Sequence, residues 1–250
     1  MILRSFSLSV LAAVTLTAPV YCAAITLTNG GFETGTTTGW TVTNSAQVTA
    51  VAGQTVQTSN GNQWTVSPSG NWMAQVVGYS TGAAALDTFF GAPAGTIEAN
   101  IPDATSGDGL YQSVTGSAGD TVSFFWSLVE TDYPPYDDTV FAIVSQDGNL
   151  LHYENLGCLV GGGGSCDHIV GDGGTQPWTS FSYTLPSAGT YQIGIGAINT
   201  MDSSVDPYLF VDDAAGSFSS NFSNTPEPAT VLLIVPAFAA LALRRKRLGR

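Results

Sequence analysis

Between Ser5 and Leu243 the chain contains no lysine and no arginine. Its six basic residues are Arg4, Arg244, Arg245, Lys246, Arg247 and Arg250, while all of its 19 acidic residues except Glu227 fall between residues 25 and 225. A body of this kind cannot neutralise a phosphate backbone, so nucleic-acid binding is excluded. It has no lysine for a Schiff base or a P-loop and no arginine for a phosphate clamp. Its carboxylates cannot form ordinary salt bridges. Each must be solvated, hydrogen-bonded or metal-bound.

The body is nonetheless built to fold. Hydrophobic residues make up 44% of the chain and aromatics 10%, enough for a packed core. The 29 glycines and the abundance of Thr, Val, Ser, Phe and Tyr point to β structure. Val122, Phe124, Trp126 and Leu128 alternate with Thr121, Ser123, Phe125 and Ser127, the period of a half-buried strand. Tyr191, Ile193, Ile195 and Ala197 alternate in the same way with Gln192, Gly194, Gly196 and Ile198. Gln146-Asp147-Gly148-Asn149 between two β-rich runs predicts a hairpin, and another strand is expected at 208–211. Turns are expected at Asn29-Gly30, Asn60-Gly61, Asp108-Gly109, 187–189 and Asp206-Pro207. No 11-residue window between the N-terminal segment and residue 229 carries a helical stripe. The fold class expected is all-β: a single β-sandwich or jelly roll over residues 25–218, with a polar tether at 219–225.

The two ends read as addresses. Arg4 precedes an apolar run from Leu8 to Leu16, then come Pro19 and the small residues Cys22, Ala23 and Ala24, the layout of a secretory signal over residues 1–24. A lipid on Cys22 would want a small residue before it and finds Tyr21. At the other end, Pro226-Glu227-Pro228 leads into an apolar segment from Ala229 to Leu243, followed by Arg244, Arg245, Lys246 and Arg247. As a helix that segment is about 22 Å long against a hydrocarbon core of about 30 Å, so it spans with thinning and snorkelling flanks, the basic cluster staying cytoplasmic. The motif, helix and basic tail, in order over residues 226–250, resemble the PEP-CTERM sorting signal of exopolysaccharide-producing Gram-negative bacteria. The resemblance implies recognition by an exosortase and removal of the tail during surface sorting. A simple tail anchor would share the localisation without the processing.

The body carries a second resemblance. Asn29-Gly30-Gly31-Phe32-Glu33 with Gly39-Trp40, then 110–114 with 118–124, 188–191 and 209–213, are similar to the strands of galactose-binding-like and carbohydrate-binding-module jelly rolls. The resemblance implies a structural Ca²⁺ where a glutamate of the first strand meets an aspartate of the last, here Glu33 with Asp212 or Asp213. A body without lysine or arginine gives the same idea a physical basis, since a hard cation satisfies a semi-buried carboxylate pair. Sugar binding would use aromatic platforms, for which Trp64, Trp72, Trp178, Tyr79 and the pair Tyr133 and Tyr136 are candidates, with Trp126 and Trp40 assigned to the core. The loop from Asp132 to Asp138, with two tyrosines, two prolines and three carboxylates, is expected to be rigid and exposed.

Cys158 and Cys166 bracket a glycine-rich segment and, once Cys22 leaves with the signal, form an even pair for a disulfide in an oxidising compartment. Only His152 and His168 could join them, at no standard zinc spacing, so zinc is not expected. His168, beside Asp167 in that segment, is expected to be a solvated histidine rather than a catalytic base. No Gly-x-Ser-x-Gly, His-Glu-x-x-His or P-loop is present, and among so many acids a glycosidase-like pair is uninformative. The threonines from Thr26 to Thr43 are irregularly spaced and form no ice-binding repeat. The function expected is that of an exported surface or extracellular-matrix protein, non-catalytic and binding carbohydrate. Its partners would be an exosortase and the secretion machinery, the membrane before processing, and exopolysaccharide. The alternatives are an extracellular polysaccharide-acting hydrolase and a purely structural or adhesive coat protein.

Overall fold

The computed structural model describes residues 22–160 and 165–220. The sorting signal expected at 226–250, and all but the last three residues of the expected leader, lie outside the described residues. Among the described residues, no helix is long and apolar enough to cross a membrane.

In chain order the elements are β1 (Ala24–Ile25), β2 (Thr41–Val42), β3 (Val48–Val51), β4 (Gln54–Gln57), β5 (Gln63–Ser67), β6 (Met73–Val77) and β7 (Thr81–Gly82). Two short helices follow, α1 (Ala83–Phe89) and α2 (Thr96–Asn100). The remaining strands are β8 (Ala104–Gly116), β9 (Thr121–Val129), β10 (Thr139–Gln146), β11 (Asn149–Leu159), β12 (His168–Val170), β13 (Thr175–Thr184), β14 (Gly189–Thr200), β15 (Tyr208–Asp212) and β16 (Ser217–Ser220). One sheet runs β3-β6-β15-β9, with β1 and β13 also paired to β9. The second runs β12-β11-β10-β14-β8-β2, with β7 on β8.

The two sheets bury the alternating residues between them. Val122, Phe124, Trp126 and Leu128 of β9 meet Tyr191, Ile193, Ile195 and Ala197 of β14 in one cluster, all nearly inaccessible. The hairpin lies where Asp147-Gly148 places it. Gln146 pairs with Asn149, and both turn residues have positive φ, 51° and 77°, as a tight right-twisted hairpin requires.

Each sheet also carries a second cluster on its outer face. On the β8-β14-β10 side, α1 and α2 pack Leu86, Phe90, Ile97 and Ile101 against Phe141, Ile143 and Ile198. The glycines of β14 make this possible. A Cβ on Gly194 would stand 2.5 Å from the Phe90 ring, and one on Gly196 would stand 2.7 Å from Phe141. On the other side, the small sheet β16-β5-β4 packs Val56 and Val66 against Met73, Val129 and Phe210.

Three local expectations are corrected. Helices do occur before residue 229, but at seven and five residues they are shorter than the window that periodicity needs. Asp108-Gly109 is no turn. It lies inside β8, where Asp108 accepts hydrogen bonds from Thr43 Oγ1 (2.6 Å), Ser80 N (2.7 Å) and Thr81 Oγ1 (3.1 Å), replacing the solvent that a turn aspartate would use. Ser219 and Ser220, expected in a tether, pair with Thr65 and Trp64 in β16.

Candidate functional site

With α1–α2 on one outer face and the small sheet on the other, the loops at the ends of the sandwich are the open ground. One of them joins β9 to β10, residues 130–138. Main-chain bonds stitch it to two neighbouring loops: Glu130 N donates to Gly174 O (3.0 Å), Ser59 N to Thr131 O (2.9 Å) and Gly173 N to Asp132 O (3.4 Å). Thr131 Oγ1 donates to Asp206 O (2.7 Å), and Thr200 Oγ1 both accepts from Asp137 N (3.0 Å) and donates to Asp137 O (2.6 Å).

On this base Tyr133 and Tyr136 stand edge to face, ring centroids 5.5 Å apart at 88°. Tyr133 is 46% exposed and Tyr136 is half-buried, with Pro134 and Pro135 exposed between them. The expectation of a wholly exposed loop is therefore half right. Tyr133 to Pro135 face outward, while Asp132, Asp137 and Asp138 are folded inward and buried together with Glu130. The cause is the stitching, which turns the loop's ends into the sandwich and leaves only its tip outside.

The inward carboxylates are bound in an unusual way. Asp132 N donates to Glu130 Oε1 (3.0 Å), Tyr133 N to Asp132 Oδ1 (2.8 Å) and Thr200 N to Asp138 Oδ1 (3.1 Å). The second oxygen of each, Glu130 Oε2, Asp132 Oδ2 and Asp138 Oδ2, is buried with no hydrogen-bond partner. Burial and then the charge of Asp132 raise the Glu130 carboxyl far above the usual range. Burial and then the charge of Glu130 do the same to Asp138. Asp132 is pushed up to about 6, by burial first and by the charges of Asp202 and Asp172 after it.

The residues expected to hold calcium lie elsewhere, around the 69–72 segment between β5 and β6. Glu33 Oε1 accepts from Asn71 N (2.8 Å) and Trp72 N (3.2 Å), and Oε2 accepts from Asn71 Nδ2 (3.1 Å). The Asn71 N–H foremost holds its carboxyl below the usual range. Asp212, at the end of β15, accepts from Ser69 N (2.9 Å) and Asp213 N (2.7 Å) and is pushed up to about 6 by burial. Asp213 packs its carboxylate on Gly31, where a Cβ would stand 2.9 Å from Oδ2. Glu33 and Asp212 thus grip neighbouring N–H groups of one segment. Among the described residues, no three His, Cys, Asp or Glu side chains converge as a ready-made metal cage.

Of the other candidate platforms, Trp64 packs on Phe218 and donates its Nε1 to Gly173 O (2.9 Å), and Trp178 belongs to the same outer cluster. Trp72 packs against the main core, and Tyr79 is 52% exposed. Trp126 and Trp40 are buried, Trp40 stacking on Phe32 at 5.4 Å. His168 opens β12 edge to face with Trp126 at 5.6 Å, half-buried rather than free in solvent. Cys158 and Cys166 form a disulfide that ties the end of β11 to the segment before β12. At the opposite end of the sandwich, a recess of 320 Å³ beside the β10–β11 hairpin is lined by Ser113, Ser145, Asp147, Thr190 and Gln192. Its one aromatic lining residue, Tyr191, is fully buried, so it offers hydrogen bonders without a stacking platform.

No protein-family model matches the sequence. No curated protein matches it either. Among solved structures the chain is similar to TmCBM61 in complex with β-1,4-galactotriose, at 16% identity and a TM-score of 0.39, over 78% of this chain and 96% of that one. It is similar also to a family 16 carbohydrate-binding module (12%, TM-score 0.36, 77% and 98%). A third is the K3 cleaved adhesin domain of Lys-gingipain from Porphyromonas gingivalis (14%, TM-score 0.34, 75% and 96%). Superpositions this loose leave the ligand of this chain to be argued from its own residues.

Proposed function

We propose that the chain is an exported, surface-sorted, non-catalytic β-sandwich that binds an extracellular glycan at the Tyr133–Tyr136 loop. The observation that carries this reading is the pair of tyrosine rings, held edge to face on a loop pinned at both ends. A ring fixed before the ligand arrives loses little entropy on binding and offers an apolar face for sugar C–H groups with a hydroxyl at its rim. The Cys158–Cys166 disulfide supports an oxidising compartment. The sequence of residues 226–250 supports sorting by an exosortase, with the apolar segment from Ala229 to Leu243 as membrane anchor before processing. Calcium at Glu33, Asp212 and Asp213 belongs to the same reading, supported by the way Glu33 and Asp212 grip one segment, 69–72, with Asp213 against Gly31.

A hydrolase would need its acid and base within reach of substrate. Glu130 and Asp138 have the raised pKa values of general acids but are fully buried. Affinity electrophoresis through gels cast with neutral and acidic polysaccharides tests the reading. The expected result is retardation in at least one gel, lost in Tyr133→Ala/Tyr136→Ala, with no reducing ends released. Equal mobility of wild type and variant in every gel rejects the loop as the binding site, and release of reducing ends makes the protein an enzyme.

A further inference from the structure

The segments that hold the tyrosine loop in place are acidic, and their acids reach water. Asp172 precedes Gly173, whose N–H donates to Asp132 O (3.4 Å). Asp206 O accepts from Thr131 Oγ1 (2.7 Å). Asp202 lies two residues beyond Thr200, whose hydroxyl bonds both main-chain groups of Asp137. Asp103 O accepts from Met201 N (2.8 Å) in the same 201–206 loop. Asp103 and Asp172 are exposed and Asp202 and Asp206 half-buried, whereas Glu130, Asp132 and Asp138 are closed off from solvent. The charges of Asp202 and Asp172 are both felt at Asp132, at the foot of the loop. No lysine or arginine offsets them, since the chain has none between Ser5 and Leu243. His152 is engaged by Glu154 Oε2 (3.0 Å), and His168 stands against Trp126.

The same segments also expose apolar side chains. Met201 is 50% and Val205 41% exposed, beside the 46% of Tyr133. Val205 is tied to the tyrosine loop through its carbonyl, which accepts from Thr131 Oγ1 (3.2 Å). A ligand that fits such a surface combines C–H faces with positive charge. The face of a tyrosine ring attracts an ammonium group directly, and a surface field of one sign concentrates ligands of the other. A uronate or sulfated glycan is held by arginine or lysine, and it would find neither here.

We propose that the glycan taken by the Tyr133–Tyr136 loop is an amino-sugar polymer with free, protonated amines. Its sugar faces pack on Tyr133, Met201 and Val205, and its ammonium groups are drawn by Asp172 and Asp202. The proposal rests on the reading of this loop as the glycan site and adds to it the chemical class of the ligand. The attraction is one of field rather than of coordination, so it needs no convergence of carboxylates on a single point. Acetylating the amines removes the charge and leaves the sugar ring unchanged, which separates the electrostatic part of the binding from the aromatic part.

Two glucosamine oligomers of equal length, one with free amines and one fully N-acetylated, are titrated into the full-length protein by calorimetry. The pH is held at about 6, where exposed carboxylates are ionised. A polyuronate oligomer is run alongside. The free-amine oligomer should bind about tenfold more tightly than the N-acetylated one, and the polyuronate should not bind. Salt at about 0.5 M should remove most of that difference. Asp172→Asn/Asp202→Asn, with its Tm unchanged, should bind the free-amine oligomer about 3–10-fold more weakly and the N-acetylated one as before. The amine assignment is overturned if the free-amine oligomer does not bind, if the two glucosamine oligomers bind equally, if the polyuronate binds more tightly, or if Asp172→Asn/Asp202→Asn keeps the wild-type affinity. In each of those cases the loop itself stands or falls on the gel retardation of Tyr133→Ala/Tyr136→Ala. A free-amine oligomer that binds Tyr133→Ala/Tyr136→Ala as it binds wild type rejects the loop as the site, and the amine assignment with it.

Discussion

The side-chain amide of Gln112 pairs with both polar groups of the Thr28 main chain, accepting from Thr28 N at 2.7 Å and donating to Thr28 O at 2.8 Å. It also donates to Gly39 O at 3.0 Å. Gln112 is 6% exposed, so one buried amide takes the place of a neighbouring strand and fixes the opening segment to β8. Replacing it with leucine strands a main-chain N–H and two carbonyls. Urea unfolding should show a loss of about 2–3 kcal/mol. Gln112→Glu, which accepts but cannot donate, should fall between the two.

The aromatic cover over β14 depends on the absence of side chains beneath it. A methyl at residue 194 would press into the Phe90 ring, which is itself buried. Gly194→Ala should destabilise the protein by about 1–3 kcal/mol and speed amide exchange across α1 more than across β9. Uniform exchange over the whole chain would show that α1 is not a separate cover.

The acid limb of stability should carry the signature of Asp120. The N–H groups of Ser117 first, and Ala23 after it, hold its carboxyl below the usual 3.8. A depressed pKa favours the folded state wherever the carboxylate is ionised. The contribution is therefore fully present above the unfolded value near pH 4 and is lost as pH falls through the lower folded value. In a pH series of denaturation midpoints, Asp120→Asn should lie below wild type at pH 5–7 and converge with it as pH falls through the lowered folded value. A constant offset across the series would mean that the charge contributes nothing.

Cys158 and Cys166 close a loop of sequence separation 8. Loop-closure entropy alone gives this clasp about 2.5 kcal/mol. Cys158→Ser/Cys166→Ser should unfold earlier by that amount, with the largest rise in amide exchange along β12, which lies parallel to the end of β11. A reduced protein that melts where the oxidised one does would remove the clasp from the account of stability.

These sites were legible in the sequence to very different degrees. The inward face of β9 follows from period-2 alternation, because successive side chains of a strand point to opposite sides whatever the partner is. The β10–β11 hairpin follows from Asp147-Gly148, because few residue pairs accept positive φ twice in succession. The pairing of Cys158 with Cys166 needed only their count and the compartment. Asp108-Gly109 carried the same kind of turn signal as Asp147-Gly148 and misled. Its aspartate finds donors on Thr43, Ser80 and Thr81, far away along the chain, and a local rule cannot see them.

By itself, the sequence determined that this protein is all-β, that its body carries no permanent positive charge, and that its carboxylates must find partners other than lysine and arginine. Which partners they find, the tertiary structure alone decided. Asp87 and Asp120 meet paired N–H groups because a helix start and a strand turn present them. Glu130, Asp132 and Asp138 are drawn inward because the chain around residues 59, 173, 200 and 206 converges on their loop, and that convergence supplies one donor to each where two were needed. Hydrogen-bond satisfaction depends on which distant segments arrive at a point in space, and the order of residues along the chain does not contain that information.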